Sequence, residues 1–404
     1  MATVTDPPQE SFRLSMLLND TRYRSYTFQF IALLLLIAFM SWLGMNLVRN
    51  LALLGQDISF EFLGQPAGYD INQRPIPYEN QDSHMRASFV GVLNTLIVAF
   101  LGCLTATLIG VTAGVARLSK NWLVAQLMSI YVEIFRNVPV LIWILIIFFV
   151  MTAALPAPSA YRGEDPQASM LFDAFAFTNR GIYVPKPILE PGSTAVLAVL
   201  LASIAGVFYY RRYATKLLYD TGKLLPMLWP SLAILVLPTL LAYFLLGRPI
   251  TLENPELRGF NFQGGIQVRG SLIALWLALA VYTGAFIAEN VRAGIQAVSG
   301  GQTEAAAALG LRPKRIMGLV VLPQALRIII PPLISQYLNL TKNSSLAIAV
   351  GYMDITGTLG GITLNQTGRA IESILLLMLF YLLISLGIAA VMNVYNNAVK
   401  LKER

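Results

Sequence analysis

Apolar residues along this chain come in long unbroken runs, without the period of 3.6 of an amphipathic helix or the period of 2 of a half-buried strand. Residues 28–47, 87–116, 138–160, 193–210, 224–247, 270–288 and 373–399 carry no Asp, Glu, Lys or Arg. Each is near or above the roughly 20 residues with which an α-helix crosses about 30 Å of hydrocarbon. An eighth segment, 328–341, is too short to cross alone and contains Pro331 and Pro332, but uncharged character resumes after Lys342 over 343–353. We read it as one broken span, because irregular backbone at membrane depth persists only where protein or water surrounds it. The pattern predicts an all-α integral membrane protein of about eight transmembrane helices.

Composition agrees: 56% of the residues are hydrophobic and 12% charged, against about 25% charged in soluble domains. The single cysteine, Cys103, sits in an uncharged stretch and the single histidine, His84, in a polar loop. They supply neither a disulfide framework nor a Cys/His metal site. The net charge of +8 would suggest a nucleic-acid partner in a soluble protein. Here the basic residues collect in alternate loops: Arg13, Arg22 and Arg24; Arg117 and Lys120; Arg211, Arg212, Lys216 and Lys223; Arg312, Lys314 and Arg315; Lys400, Lys402 and Arg404. The positive-inside bias places these loops and both termini in the cytoplasm, and no nucleic acid is expected. The basic residues ahead of the first span also fit a signal peptide, but no small-residue cleavage site follows. Residues 1–25 read as a polar tail, 26–88 as the first span with its outer loop, and 398–404 as a second tail. The outer segments after spans one and three are rich in Pro, Gly, Asn and Asp and read as loops or small caps. No internal repeat of the kind that builds many secondary transporters is evident.

The most informative stretch is 300–323, between spans six and seven, reading GGQTEAAAALGLRPKRIMGLVVLP. Gln302 to Leu309 is an Ala-rich helix former with Glu304 in its first turn, where an acid suits the helix dipole. Gly310 is a natural helix stop, Pro313 opens the next helix, and Pro323 ends or kinks it. The product is a compact helix-turn-helix across the cytoplasmic face. Ala305 to Ala308 offer almost no side chain, so another protein's backbone can approach closely.

This segment resembles the EAA loop of ABC-type importer permeases: Glu304-Ala305-Ala306, Gly310 four residues after Ala306, then Val320, Leu322 and Pro323, with Val320 where isoleucine is usual. Further signatures resemble the polar amino-acid uptake group: Tyr131-Val132-Glu133 with Arg136-Asn137-Val138-Pro139, Glu289-Asn290-Val291-Arg292-Ala293-Gly294, Gly301-Gln302, Pro323-Gln324-Ala325 and Lys342-Asn343-Ser344-Ser345-Leu346. Arg136-Asn137-Val138 departs from the Arg-Gly-Thr common in that group. The resemblance covers about 89–397 and implies a type I ABC importer transmembrane domain with an extra first span and an inserted outer segment and helix pair at about 155–250. The layout is similar to permeases of general L-amino-acid importers and of glutamate/glutamine/aspartate/asparagine importers of Gram-negative bacteria. The partners it implies are a homologous second permease, an ABC ATPase dimer, a periplasmic amino-acid-binding protein and the lipid of the inner membrane. Gln302, Glu304, Ala305, Ala306 and Gly310 would couple the bundle to the ATPase. No G-x-x-x-x-G-K-[ST] loop is present, so ATP-Mg belongs on the partner and this chain is expected to hold no cofactor or metal. Lys314 and Arg315 either touch acidic ATPase surface or only obey the inside rule.

Charged groups near membrane depth form the second set of candidates, because they are costly there and turn to the bundle interior. Glu133 and Arg136 share a helix face and can pair, as can Glu289 and Arg292; the four suggest an inner gate or interfacial anchoring. Lys342 with Asn343, Ser344 and Ser345 forms a polar step beside the broken helix. Either this step meets a substrate carboxylate, or Lys342 pairs with Asp354 or a backbone carbonyl to hold the break. A secondary transporter or channel leaves the EAA spacing unexplained. A membrane-embedded enzyme lacks H-E-x-x-H, G-x-S-x-G and a second histidine.

Overall fold

The computed structural model describes residues 16–53, 55, 57–163, 166–223 and 225–399. Arg13, Lys400, Lys402, Arg404 and most of the expected tails lie outside the described residues. Eight helices are long and apolar enough to cross a bilayer. In chain order the helices that matter here are α1 (Thr21–Leu53), α2 (His84–Ala116), α3 (Trp122–Asn137), α4 (Val140–Ala154), α5 (Ser193–Thr221), α6 (Leu228–Leu245), α7 (Gly270–Gln296), α8 (Gly300–Ala308), α9 (Leu322–Asn343) and α10 (Ala370–Val399).

At the centre α2 and α7 pack against each other through small residues. A Cβ on Gly110 would lie 2.5 Å from Ile287, and one on Gly114 would lie 2.6 Å from the carbonyl of Ala288. Close backbone approach of this kind replaces the hydrophobic effect that lipid cannot supply between apolar helices. Val98, Ala106, Leu275, Ala278, Leu279 and Ile287 are fully buried there, joined by Ile144 of α4 and Leu340 of α9. In contrast α1 is largely exposed, and α5 and α6 pack chiefly on each other.

Helix α3 was expected only as the helix face shared by Glu133 and Arg136, not as a separate element of the bundle. Asn121 caps it by accepting from the N–H groups of Leu123 and Val124. Its amphipathic face sets Val132 among Ala113, Ala285 and Ala288, and the Tyr131 hydroxyl donates to the Val281 carbonyl at 2.6 Å. Glu133 and Arg136 interrupt its apolar stripe, so no uncharged run of spanning length marks it.

The insertion carries a β cap. Strands β1 (Ala176–Thr178), β2 (Gly181–Val184) and β3 (Lys186–Leu189) precede α5. Strands β4 (Ile250–Glu253), β5 (Glu256–Arg258), β6 (Asn261–Gln263) and β7 (Ile266–Arg269) follow α6. Antiparallel pairing of β2 with β7 and β3 with β4 joins the two flanks of the helix pair, so strands continue the inserted segment to Arg269. A second cap, over 57–83, covers the same end of the bundle with Tyr69, Ile71 and Tyr78. His84, expected in a polar loop, is instead the first residue of α2 and is buried; its Nδ1 lies 3.0 Å from the Thr363 hydroxyl.

The broken span is present, but the break lies elsewhere than the proline pair suggests. α9 runs through Pro331 and Pro332 and ends at Asn343, where a 3₁₀ segment, Ser344–Val350, takes over and stops at Gly351 with φ 69°. Likewise Pro323 does not end the preceding helical path. A π-helical turn over Met317–Val321 leads straight into α9, and the wider turn absorbs the missing N–H of Pro323.

Candidate functional site

α8 stands at the basic-loop end of the bundle and starts two residues earlier than expected, so Glu304 lies beyond its first turn. Gly310 ends it in the left-handed region at φ 75°, and Pro313 opens the next turn. Of the small residues expected to face a partner, Ala306 turns inward, buried with Ile316 and Val321, while Glu304, Ala305, Ala307 and Ala308 are exposed. Ala306 is thus the anchor that holds the helix to the bundle. Leu309, to which sequence reasoning assigned no role, is 82% exposed beside Gly310. The Gln302 side chain meets that of Gln324, whose amide also donates to the Val320 carbonyl at 2.9 Å. Gln302 therefore ties α8 to the start of α9.

The second constellation centres on Glu289 of α7. Its Oε1 accepts from Arg292 Nη2 at 2.6 Å, its Oε2 accepts from Arg117, and Arg136 Nη1 lies 3.9 Å from Oε2. Arg292 also donates to Gln296, Arg117 to Ser129 Oγ, and Arg136 sits over the Phe286 ring. The Glu289–Arg292 pair forms as the spacing suggested. The Glu133–Arg136 pair does not: Arg136 reaches across to α7, and Glu133 accepts instead from Asn137 at 3.3 Å. Sequence reasoning gave Arg117 only to the positive loop. No local signal couples it to Glu289.

In the third constellation Lys342 is exposed and no ion pair to Asp354 is present among the described residues. Asp354 is fully buried, accepting from the Gly357 N–H at 2.9 Å and the Tyr381 hydroxyl at 3.1 Å. Burial pushes its carboxyl up to about 6, and the hydrogen bonds from Gly357 and Tyr381 work against that shift. The Ser344 and Ser345 hydroxyls fold back onto the carbonyls of Thr341 and Lys342. Of the polar step, Lys342 is the exposed member, and Asn343 is half-buried.

Residues 195–402 match the family described as binding-protein-dependent transport system inner membrane component. Along its whole length the chain is 52% identical to the glutamate/glutamine/aspartate/asparagine transport system permease protein BztB of Rhodobacter capsulatus, all of which is covered. The chain belongs to this transport-system family. It is 43% identical to the general L-amino acid transport system permease protein AapQ of Rhizobium johnstonii over 98% of this chain and 96% of the relative. The glutamate/aspartate import permease protein GltJ of Escherichia coli is 31% identical over 51% of this chain, which is 81% of its own length. As a multi-pass inner membrane component, the chain conducts rather than catalyses.

Proposed function

We propose that this chain is one permease subunit of an ATP-driven importer that carries polar L-amino acids from periplasm to cytoplasm. The observation that carries the reading is α8: anchored by Ala306 and Gln302, it leaves Ala305, Ala308 and Leu309 bare at the basic-loop end. Such a helix offers a groove on a motor subunit a rigid lever, with Leu309 as its apolar tip. Glu304 and Gly310 complete the coupling turn. Closure of an ABC ATPase dimer, which holds ATP-Mg, would move α8 and with it α9, alternating access of the bundle between the two sides. The substrate class is supported by the relatives' names and by the match over full length.

In this reading the shared transmembrane domain extends over 89–397, with an inserted outer segment and helix pair that begins at about 155 and that the pairing of β2 with β7 carries on to Arg269. Both termini lie in the cytoplasm, as loop charge requires. A homologous second permease and a periplasmic binding protein complete the assembly. The Glu289 cluster joins α2, α3 and α7 within one chain, so it braces the inner end, and any gating there would work by breaking this brace.

The test is purification from native membrane with a cysteine at Ala308 in a chain lacking Cys103. Recovery of a nucleotide-hydrolysing subunit crosslinked at that position, with hydrolysis stimulated by amino acid and binding protein, is the expected result. A chain that moves amino acid in proteoliposomes without ATP sinks the proposal.

A further inference from the structure

The two helices of the insertion differ in length. α5 has 29 residues and α6 has 18, so at 1.5 Å per residue α5 is longer by about 16 Å. The Tyr210 hydroxyl donates to the Pro226 carbonyl at 2.7 Å, two residues ahead of α6. α5 therefore passes the start of its antiparallel neighbour at Tyr210, and 211–221 continue as helix beyond it. Tyr210 also closes the uncharged run of this span. The extension thus leaves the hydrocarbon at the basic-loop end and crosses the headgroup layer.

Its charge is not balanced within the chain. Between Glu190 and Glu253 the one acid is Asp220, while Arg211, Arg212, Lys216 and Lys223 stand at this end, four positive charges against one negative. Among the described residues none of these four cations enters an ion pair, and all four are exposed. The contrast is with Arg117, Arg136 and Arg292, which share the Glu289 carboxylate.

Steps of three and four residues from Phe208 to Arg211 and Arg212, to Thr215 and Lys216, and to Tyr219 lie along one face of α5. These six residues line a groove of about 510 Å³. Most of its lining is apolar, as follows where two aromatic rings flank the long aliphatic stems of Arg and Lys, whose charged heads stay in water. The Thr215 hydroxyl is spent on the Arg211 carbonyl at 2.8 Å, which leaves the cations as the polar groups that a ligand would meet. Tyr209, Tyr213 and Trp229 are exposed nearby in the chain, rings of the kind that settle at headgroup depth. A free anion would use the cations and leave the apolar trough empty. A phospholipid uses both.

We infer that this groove holds an anionic phospholipid, its phosphate among Arg211, Arg212 and Lys216 and its upper acyl region against Phe208. Basic clusters beside a membrane helix attract anionic lipid through this combination of surface charge and depth. The site has a structural consequence. α5 and α6 pack chiefly on each other, and strand pairing joins their flanks at the opposite end, so a bound lipid steadies the end of the pair that protein contacts leave uncovered. The inference goes beyond the permease reading and requires only that α5 spans the bilayer.

The test is photocrosslinking in the assembled complex, reconstituted in phosphatidylcholine vesicles doped with a photoactivatable phosphatidylglycerol or, in parallel, a photoactivatable phosphatidylcholine. Mass spectrometry of the peptides reads where each lipid attaches. The expected result is capture of phosphatidylglycerol within 208–219 at least about tenfold above phosphatidylcholine, because each basic residue near the headgroups adds to the attraction. Arg211→Gln, Arg212→Gln and Lys216→Gln together should abolish the preference, whereas Arg211→Lys, Arg212→Lys and Lys216→Arg together should keep it. Equal capture of the two lipids, or a preference that survives the Gln substitutions, would overturn the inference. So would loss of the preference in inorganic phosphate but not in chloride of equal ionic strength, which assigns the groove to a free anion. Release of a partner subunit by the Gln substitutions with lipid capture intact assigns it to a protein and overturns the inference as well. The substituted side chains are exposed and the charge-preserving variant controls for folding. Because the readout is lipid rather than transport, a failure here leaves the crosslinking test at Ala308 untouched.

Discussion

Glu289 and Arg117 are 172 positions apart in the chain, yet they form the charged contact that ties the end of α2 to α7. Arg292 and Arg136 close on the same carboxylate from two further directions. One anion among three cations makes Glu289 the member whose loss is most costly, because its removal leaves like charges facing one another. Glu289→Gln should cost about 1.5–3 kcal/mol, the range for hydrogen bonds to charged groups, read as a lowered Tm of the purified complex. Glu133→Gln, at an exposed carboxylate that accepts from Asn137, should stay within about 0.5 kcal/mol of wild type. Equal effects of the two would refute the hub.

Gly110 permits α2 to lie against Ile287 of α7. Gly110→Val should overpack this crossing, with a loss of about 1–3 kcal/mol and poor recovery of folded chain from membranes. Gly387 of α10 has open space around its Cα, so Gly387→Ala should be neutral or stabilise slightly through helix propensity. Thermal unfolding of the two variants side by side separates a packing requirement from a general sensitivity to glycine replacement.

Asp354 gives a pH dependence with a definite sign. Its folded-state carboxyl sits at about 6, above the ordinary 3.8, so the folded chain holds the proton more tightly than the unfolded one. The stability this group contributes is full below about pH 3.8 and is lost as pH rises through about 6. Asp354→Asn keeps an acceptor for the Gly357 N–H and removes the titration. The slope of Tm between pH 4 and 7 should flatten in the variant, and at pH 7 its Tm should match or exceed wild type. An unchanged slope would show that other groups carry the dependence.

Much was legible in the chain itself because the governing signals are local. Uncharged run length set seven of the eight spans, and Gly310 and Pro313 set the turn after α8 through backbone conformation alone. The break after α9 was expected near Lys342 and lies one residue beyond it, though the prolines that drew attention to it are carried within the helix. Local signals also misled where a face is two-sided. Ala306 looked like its neighbours, but one turn of helix decides which alanine anchors and which are bare.

Sequence alone determined that this is a many-span membrane protein with a small-residue helix and tight turn between spans six and seven, since hydrophobic length and turn chemistry act within a few residues. Tertiary structure alone decided that Arg117 and Arg136 join the carboxylate that Arg292 already reaches by helical spacing, because the packing of α2 and α3 on α7 brings them there. It also decided that β2 pairs with β7 across the inserted helices and that Ser344 and Ser345 are consumed by their own turn. Those outcomes depend on where separate helices come to rest, and no residue records that in its immediate neighbours.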